Sequence, residues 1–265
     1  MEEKDPCEVR HFPSYWLRRK PVLMPYPMHP VHWGHHGHNI PRTLERLRNS
    51  DKRIRLFFSG DTKGYKRPKT TYPDIKLSRP EIIDALLNHL PANSLLIDDE
   101  DLLTSTFEGE YKNRFVVLDT SKLWIDDSIW FERLAKADFF LAPPGISMPM
   151  CHNVIEAMAL GVIPVINYPE WFSPKLQHMK TCITFDSTHD LKQKACKIME
   201  MNRHQISHLR SNVIAYYDHY LLPEKFIRDI ELSKKSKLTV AMITEKYVSQ
   251  NALKLNKNSI ILQGG

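Results

Sequence analysis

The sequence predicts an α/β protein with a doubly wound, Rossmann-like parallel sheet, preceded by a short N-terminal segment and followed by C-terminal helices. Short apolar runs at residues 139–141 and 162–166 contain no alternating polar residues, which is typical of strands buried on both faces. Helical segments alternate with such runs, and Gly161 stands where one helix must stop before the next strand. This βαβ pattern brings polar loops to the carboxyl ends of the strands, where open parallel sheets bind ligands.

Apolar runs bounded by turn residues predict the strands in chain order: 22–25, 54–59, 94–98, 115–118, 138–142, 162–166 and 182–185. The segments between them predict helices at 42–49, 79–90, 126–136, 149–160 and 188–201. Ser78 and Glu81 form a capping-box pattern at the start of the second helix. The fourth helix is expected to start near Ser147 or Pro149, as a hydroxyl cap or an early proline.

Beyond residue 200 the pattern is helical, with a break between helices at Leu222 and Pro223. We therefore divide the chain into an N-terminal segment (1–52), a ligand-binding Rossmann-like domain (53–200) and C-terminal helices with a tail (201–265). Only about fifty residues precede the domain, and this short segment carries a dense histidine cluster.

Composition excludes several classes of protein. An apolar fraction of 42% and a charged fraction of 26% are ordinary for a folded soluble domain. No run approaches the roughly 18 apolar residues of a membrane span, and the polar N-terminus does not resemble a secretory signal. The four cysteines show no paired spacing, which indicates a reducing compartment. We therefore expect a soluble, cytoplasmic protein without a membrane span.

The positive charge is concentrated in one loop. The formal charge is +6, with pI near 9.0, but no regular aromatic spacing accompanies the basic residues, so we do not expect nucleic acid as a partner. The cations follow the strand at 54–59: Lys63, Lys66, Arg67, Lys69, Lys76 and Arg79. A basic loop beside a helix N-terminus suits a diphosphate, and a merely solvated loop is the alternative for its lysines.

Glu156 is the one carboxylate in an apolar helix. A charge held there is costly unless hydrogen bonds reach it. The two vicinal hydroxyls of a ribose would supply such bonds. The alternative is a carboxylate on the helix's wet edge, or one bonded to nearby backbone.

Three segments in order carry a family resemblance. Gly145, Glu156 with Ala157, and the run at 161–166 resemble the donor-binding half of GT-B glycosyltransferases of the exostosin type. The run RLFFSG at 55–60 is similar to that family's strand and glycine turn, and PVLMPYP at 21–27 to an upstream segment. The likeness covers about residues 20–190. Cys151 and Asn153 depart from the pattern, which has serine and arginine there.

The resemblance implies an inverting glycosyltransferase that needs no cofactor or metal beyond its nucleotide-sugar donor. It implies a UDP-sugar as the donor. UDP-xylose is the first candidate, because the compact exostosin-like enzymes of large algal viruses include one that transfers xylose, and GDP-fucose is the second. The acceptor would be a glycan or glycoprotein. Assembly of the chain into a homo- or hetero-oligomer is a further open alternative. The implied donor-binding residues are Gly60, Arg79, Gly145, Ser147, Asn153 and Glu156.

The catalytic base of such a reaction is open among four candidates: His32, His35, His38 and Asp61. General-base assistance to the acceptor hydroxyl commonly comes from histidine or a carboxylate. The cluster at 29–38 holds five histidines and is expected to be a loop made mobile by two glycines. Its three interpretations are an acceptor-binding or catalytic loop, a metal site without a standard zinc spacing, and simple packing.

Two other classes of function stay open. A sugar-nucleotide epimerase shares the GT-B fold and the ribose-binding carboxylate, but needs a complete second domain. A nucleotide-sugar-binding subunit without activity of its own is the other, because little sequence precedes the Rossmann-like part to hold an acceptor. Turnover of a nucleotide sugar by the chain alone discriminates the transferase from the binding subunit.

Overall fold

The computed structural model describes residues 22–23, 25–63, 75, 77–109, 111–145, 149–232 and 240–241. The strands are β1 Val22–Leu23, β2 Ile54–Gly60, β3 Ser94–Ile97, β4 Tyr111–Asp119, β5 Ala137–Leu141, β6 Ile163–Ile166, β7 Ile183–Thr184 and β8 Val240–Ala241. The helices are α1 Val31–His36, α2 Ile40–Arg48, α3 Arg79–His89, α4 Glu100–Glu108, α5 Asp127–Leu134, α6 His152–Ala159, α7 Thr188–Glu200, α8 Arg203–Tyr216 and α9 Pro223–Glu231.

Six of the described strands form one parallel sheet in the order β3-β4-β2-β5-β6-β7. The chain leaves β2 toward one edge of this sheet and leaves β5 toward the other, so the direction of winding reverses between these two neighbours. The prediction of a doubly wound, Rossmann-like α/β fold is confirmed. A crevice therefore opens at the carboxyl ends of β2 and β5, the position where such sheets bind ligands.

The centre of the sheet is buried on both faces, as the uninterrupted apolar runs predict. Every residue of β5 and β6 is buried. Phe57 of β2 has no exposed surface and meets Phe107 edge-on at 5.6 Å and Phe140 at 6.1 Å between ring centroids. Burial of one such ring contributes roughly 1.5–3 kcal/mol, so this aromatic layer holds the sheet and its helices together.

The histidine cluster of the N-terminal segment differs from its prediction. Helix α1 and a 3₁₀ turn at Gly37–Asn39 lie where a mobile loop was expected, whereas α2 confirms the helix predicted at 42–49. Arg48 holds α2 in place, because its Nε donates to the Ala159 carbonyl at 2.8 Å and its two Nη atoms reach Asp218 at 3.0 and 2.6 Å. The strand expected at 22–25 is short and pairs with β8, outside the main sheet.

Most other element bounds agree with prediction within a few residues, and two do not. Helix α6 begins at His152, later than Ser147 or Pro149; Ser147 itself lies outside the described residues. Helix α4, which is not among the predicted helices, begins in the acidic run at 98–101. It starts there because the Asp99 side chain accepts a hydrogen bond from Leu102 N at 2.7 Å, which caps the helix.

The C-terminal part is helical as expected. Helix α8 continues into a π-helical turn at Tyr217–Leu221, and α9 starts at Pro223, which confirms the predicted break. Gly161 ends the α6 region with φ 69°, a left-handed conformation that glycine adopts at no steric cost. In the part of the chain described, no helix combines the length and apolar character that a membrane crossing requires.

Candidate functional site

A cavity of about 400 Å³ lies at the carboxyl ends of β2 and β4, closed on one side by α1 and on another by the start of α6. Gly60 and Asp119 end their strands in register with each other, so the turns that follow both strands meet at this edge. Ser59, Cys151 and Asn153 complete this side of the wall. The cavity therefore lies next to the crevice that the strand order predicts between β2 and β5, on the β4 side of β2.

Glu156 lines the cavity but is only 2% exposed, because protein groups surround its carboxylate. Oε1 accepts from the His29 backbone N–H at 2.9 Å and lies 3.2 Å from His32 Nε2, while Oε2 accepts from Trp130 Nε1 at 2.7 Å. Burial acts to raise the pKa of Glu156, but the contacts with His32, His29 and Trp130 outweigh it and hold that pKa below its ordinary value. The buried carboxylate is therefore ionised at neutral pH.

His32 forms the other half of a buried imidazole–carboxylate pair. It is 2% exposed, and its ring lies over Phe131 with centroids 4.2 Å apart. Nδ1 is buried and has no hydrogen-bond partner among the described residues. When Nε2 carries the proton toward Glu156, a neutral imidazole leaves a lone pair on Nδ1. In that tautomer the Nδ1 acceptor has no donor among the described residues.

The other histidines of the cluster have different surroundings. His29 is exposed and lies edge-on to His152 at 5.0 Å, and His36 stacks on Phe131 at 5.3 Å. Burial lowers the pKa of His36 below its usual value. His35 and His38 are exposed and are not among the described residues that line the cavity. No group of three or more potential metal ligands occurs among the described residues.

Three of the predicted donor-binding residues, Gly60, Asn153 and Glu156, line the cavity, and Arg79 lies close to it. Arg79 Nη1 donates to the Asp61 carbonyl at 3.2 Å, and Nη2 contacts Cys151 Sγ at 4.0 Å. Asn153 Nδ2 donates to the Ser59 carbonyl at 3.3 Å, which ties the start of α6 to β2. A side chain at Gly60 would meet the Phe58 ring at 3.1 Å. A larger residue at the end of β2 would therefore require the Phe58 ring to shift by a few tenths of an ångström.

The remaining predicted residues fall into three groups. Asp61 does not line the cavity; its Oδ1 accepts from the Lys63 backbone N–H at 2.9 Å and shapes the turn. Gly145 lies in the turn between β5 and α6, where its N–H donates to the Pro149 carbonyl at 3.1 Å. Outside the described residues lie Ser147 and four cations of the basic loop: Lys66, Arg67, Lys69 and Lys76.

Asp119 is a site residue that sequence reasoning missed. It is 4% exposed and accepts hydrogen bonds from Thr62 Oγ1 at 2.8 Å and from Ser121 Oγ at 2.8 Å. Burial acts to raise the pKa of Asp119, but these hydrogen bonds outweigh it and bring that pKa below its ordinary value. The carboxylate pins the turns after β2 and β4 together. Its position directly at the carboxyl end of a buried strand is the signal that could have revealed it.

Two tryptophans of the cavity wall were also missed. Trp130 reaches Glu156 from α5, and Trp124 stands in the wall with 63% of its surface exposed. Neither has a local sequence pattern that distinguishes it from an ordinary packing residue. Trp124 offers a flat, solvated aromatic face at the rim, beside the buried Ile125.

A larger cavity of about 620 Å³ lies at the ends of β6 and β7. Lysines in its wall already pair with neighbouring carboxylates, Lys175 with Glu170 at 3.2 Å and Lys194 with Asp190 at 2.7 Å. The smaller cavity combines an unsatisfied buried imidazole nitrogen with an ionised carboxylate and a helix N-terminus. It is therefore the better candidate for a reaction site.

The comparisons with known proteins add no relative to this description. No family model matches the chain, and no curated protein matches it significantly.

Proposed function

We propose that this chain is an inverting glycosyltransferase that moves a sugar from a UDP-sugar to a hydroxyl of a glycan or glycoprotein. One observation carries the proposal: a cavity at the carboxyl end of β2, beside the switch point of the sheet, combines a glycine turn, a helix N-terminus and a buried imidazole–carboxylate pair. Displacement of a nucleoside diphosphate by a hydroxyl needs an anion site next to a proton acceptor. This cavity offers both.

The diphosphate would lie against Gly60 and the first turn of α6. Glycine lets the backbone approach phosphate oxygens closely, and the N–H groups that start a helix carry a partial positive charge. The Arg79 guanidinium stands behind this wall, 3.8 Å from a Cβ built on Gly60. In the proposal it stabilises the negative charge that grows on the leaving diphosphate as the glycosidic bond breaks.

His32 is the base in this proposal. Of the four candidates it is the one that lines the cavity. Its Nε2 faces Glu156, so the buried Nδ1 would take the proton of the acceptor hydroxyl as that oxygen attacks the anomeric carbon. This step requires that the bound acceptor displace the groups that cover Nδ1. Assistance of this kind contributes typically about 10²- to 10⁴-fold in rate.

Glu156 is a positioning residue in the same proposal. The resemblance implies that it holds the ribose, but three protein donors already occupy most of its roughly four lone-pair sites. Its contacts support a role that keeps the His32 tautomer and ring orientation. The ribose contact stays a prediction, and a ligand-bound structure would decide between these roles.

The test of donor binding is thermal stability against a panel of UDP-, GDP-, ADP- and TDP-sugars, with UDP-xylose first. A ligand at 100 times its dissociation constant adds about 2.7 kcal/mol of stability. Arg79→Gln should lose most of the ligand-dependent shift. Arg203→Gln, at an exposed position of α8, is the matched control and should keep it. No shift with any nucleotide sugar would refute the proposed function.

The base is tested by His32→Ala in a transfer assay with free imidazole added. The variant should still show the nucleotide-dependent thermal shift, lose at least about a hundredfold in turnover, and regain part of it when imidazole fills the vacated volume. Turnover that survives the substitution would remove His32 as the base while leaving donor binding intact. Binding without turnover in the wild type would favour the inactive nucleotide-sugar-binding subunit.

A further inference from the structure

Cys151 stands at an electropositive point of the cavity wall. It is the residue that precedes the first turn of α6, and its Sγ lies 4.0 Å from Arg79 Nη2. It is half-buried and lines the cavity, and its Sγ also lies 4.0 Å from the Pro149 carbonyl oxygen. A cysteine at a helix N-terminus beside a guanidinium is in the environment that favours the reactive, anionic form of sulfur.

Tyr168 supplies a second, independent sign of an anion at this point. It is 1% exposed, and its hydroxyl has no hydrogen-bond partner among the described residues. The phenol interacts electrostatically with Cys151 and Arg79, and burial raises the pKa of Tyr168 well above its usual value. The hydroxyl therefore stays a proton donor. A buried donor without an acceptor, with a guanidinium nearby, favours a negative charge on its neighbour Cys151.

We propose that Cys151 is a peroxide- and electrophile-reactive thiol whose modification closes the cavity to nucleotide. The reactivity stands on the contacts of Cys151 alone, and the closing of the cavity rests on the proposed function. The added group would occupy the wall beside Gly60 and Arg79, where the diphosphate is proposed to lie. The site would then respond to oxidants as well as to substrate.

The chemistry is a nucleophilic attack by the sulfur. With a peroxide an S–O bond forms, the O–O bond breaks and hydroxide leaves, so that sulfur is oxidised to a sulfenic acid and the peroxide is reduced. With iodoacetamide an S–C bond forms and iodide leaves. In both reactions the thiol proton has already passed to solvent.

The other two described cysteines serve as internal comparisons. Cys196 is exposed on α7, with His89 Nε2 at 3.4 Å from its sulfur. Cys182 is buried, and burial raises its pKa to about 12. If exposure alone decided reactivity, Cys196 would react first and Cys151 second. The proposal predicts the reverse order near neutral pH.

The test is the rate of iodoacetamide alkylation at each cysteine of the native full-length chain, followed by peptide mass spectrometry between pH 5.5 and 9.5. Half-maximal alkylation of Cys151 should fall at least about one pH unit below that of Cys151 in the urea-unfolded chain, where a free cysteine gives about 8.5. Arg79→Gln should move this midpoint upward. A native midpoint at or above the unfolded one would overturn the proposal.

The regulatory part is tested separately. UDP at 100 times its dissociation constant should slow Cys151 alkylation about a hundredfold and leave Cys196 unchanged. Hydrogen peroxide should abolish the UDP-dependent thermal shift of the wild type but not that of Cys151→Ser. A reactive Cys151 that UDP does not protect would refute the nucleotide site and keep the reactive thiol. A shift that survives full oxidation of Cys151 would overturn the closing of the cavity.

Discussion

Glu156 shows how a single buried charge organises the site. Its three donors come from different parts of the chain: the backbone at His29, the α1 ring of His32 and the α5 indole of Trp130. Each is an interaction with an ionised group, which contributes roughly 1.5–3 kcal/mol. The residue thus joins the N-terminal segment, α5 and α6.

Trp130→Phe should lower the free energy of unfolding by about 1.5–3 kcal/mol, because the indole N–H is the donor to Glu156 Oε2. Trp124→Phe is the matched control in the same cavity wall. With 63% of its surface exposed, Trp124 should change stability by less than about 0.5 kcal/mol. Urea denaturation monitored by circular dichroism measures both. Equal effects would contradict the importance of the indole–carboxylate bond.

The lowered pKa of Asp119 predicts how the free energy of unfolding changes with pH. Its folded pKa lies below its ordinary value of 3.8, so ionised Asp119 stabilises the fold at higher pH and this contribution is lost as pH falls through the folded pKa. The stability advantage of the wild type over Asp119→Asn should therefore be constant between pH 7 and about 5 and shrink below 3.8. Urea titrations at pH 7, 5 and 3 measure it. An advantage that grew toward acid pH would contradict this sign.

At the scale of elements, helices α1 and α2 pack across α5 and α6 and join them. We call these two helices, residues 31–48, the strap. Arg48 and Arg46 lie on the same helix but make unlike contacts. Arg48 makes a bidentate pair with Asp218 and a hydrogen bond to the Ala159 carbonyl, whereas Arg46 makes one exposed pair with Glu132. The strap that holds His29 and His32 against Glu156 therefore depends on Arg48.

Arg48→Lys should cost about 1.5–3 kcal/mol, because lysine cannot reproduce the planar fork of bonds. Arg46→Lys should change stability by less than about 1 kcal/mol, as exposed pairs do. Denaturation midpoints give the stabilities, and amide exchange in α1 should rise only in the Arg48 variant. If both variants behaved alike, the strap would not depend on the bidentate pair.

Substitution by alanine should change folding stability in opposite directions at two glycines. Gly161 has φ 69°, and an added Cβ would lie 2.8 Å from Ile214 Cδ1, so Gly161→Ala should cost roughly 1–3 kcal/mol. Gly34 lies inside α1 with nothing within 4 Å of its Cβ position. Gly34→Ala should therefore stabilise by about 0.5–1 kcal/mol.

Thermal denaturation of the two glycine variants gives the signs directly. Gly161→Ala combined with Ile214→Val should recover part of the loss, because the shorter side chain relieves the contact but not the backbone strain. Full recovery would show that the left-handed backbone carries no cost. Destabilisation by Gly34→Ala would contradict the helical assignment of α1.

At the scale of the whole molecule, the proposed site draws on distant parts of the chain that the sheet edge brings together. Saturating UDP-sugar should therefore slow amide exchange in α1, in α6 and in the turn after β2 at once, and leave α9 unchanged. Hydrogen–deuterium exchange with mass spectrometry measures this. Protection confined to the larger cavity at the ends of β6 and β7 would move the nucleotide site there.

The sequence by itself determined the class of fold and most of its elements. Short unalternating apolar runs bounded by turn residues indicate strands buried on both faces, and the capping pattern at Ser78 and the stop at Gly161 mark helix ends through local contacts. Such features depend on neighbours within a few residues, and those neighbours are visible in the sequence. Gly60, Arg79 and Asn153 come from the family resemblance and not from a local pattern.

Only the tertiary structure decided the order of the strands, the helix over the histidine cluster and the partners of Glu156. β3 follows β2 in the chain, yet β4 lies between them, an outcome of packing that no local pattern records. His29 and Glu156 are 127 residues apart, and Trp130 comes from a third element. Sequence reasoning could show that Glu156 needs donors, because a buried charge is costly. Which groups supply them depends on contacts between distant segments, and these exist only in the folded chain.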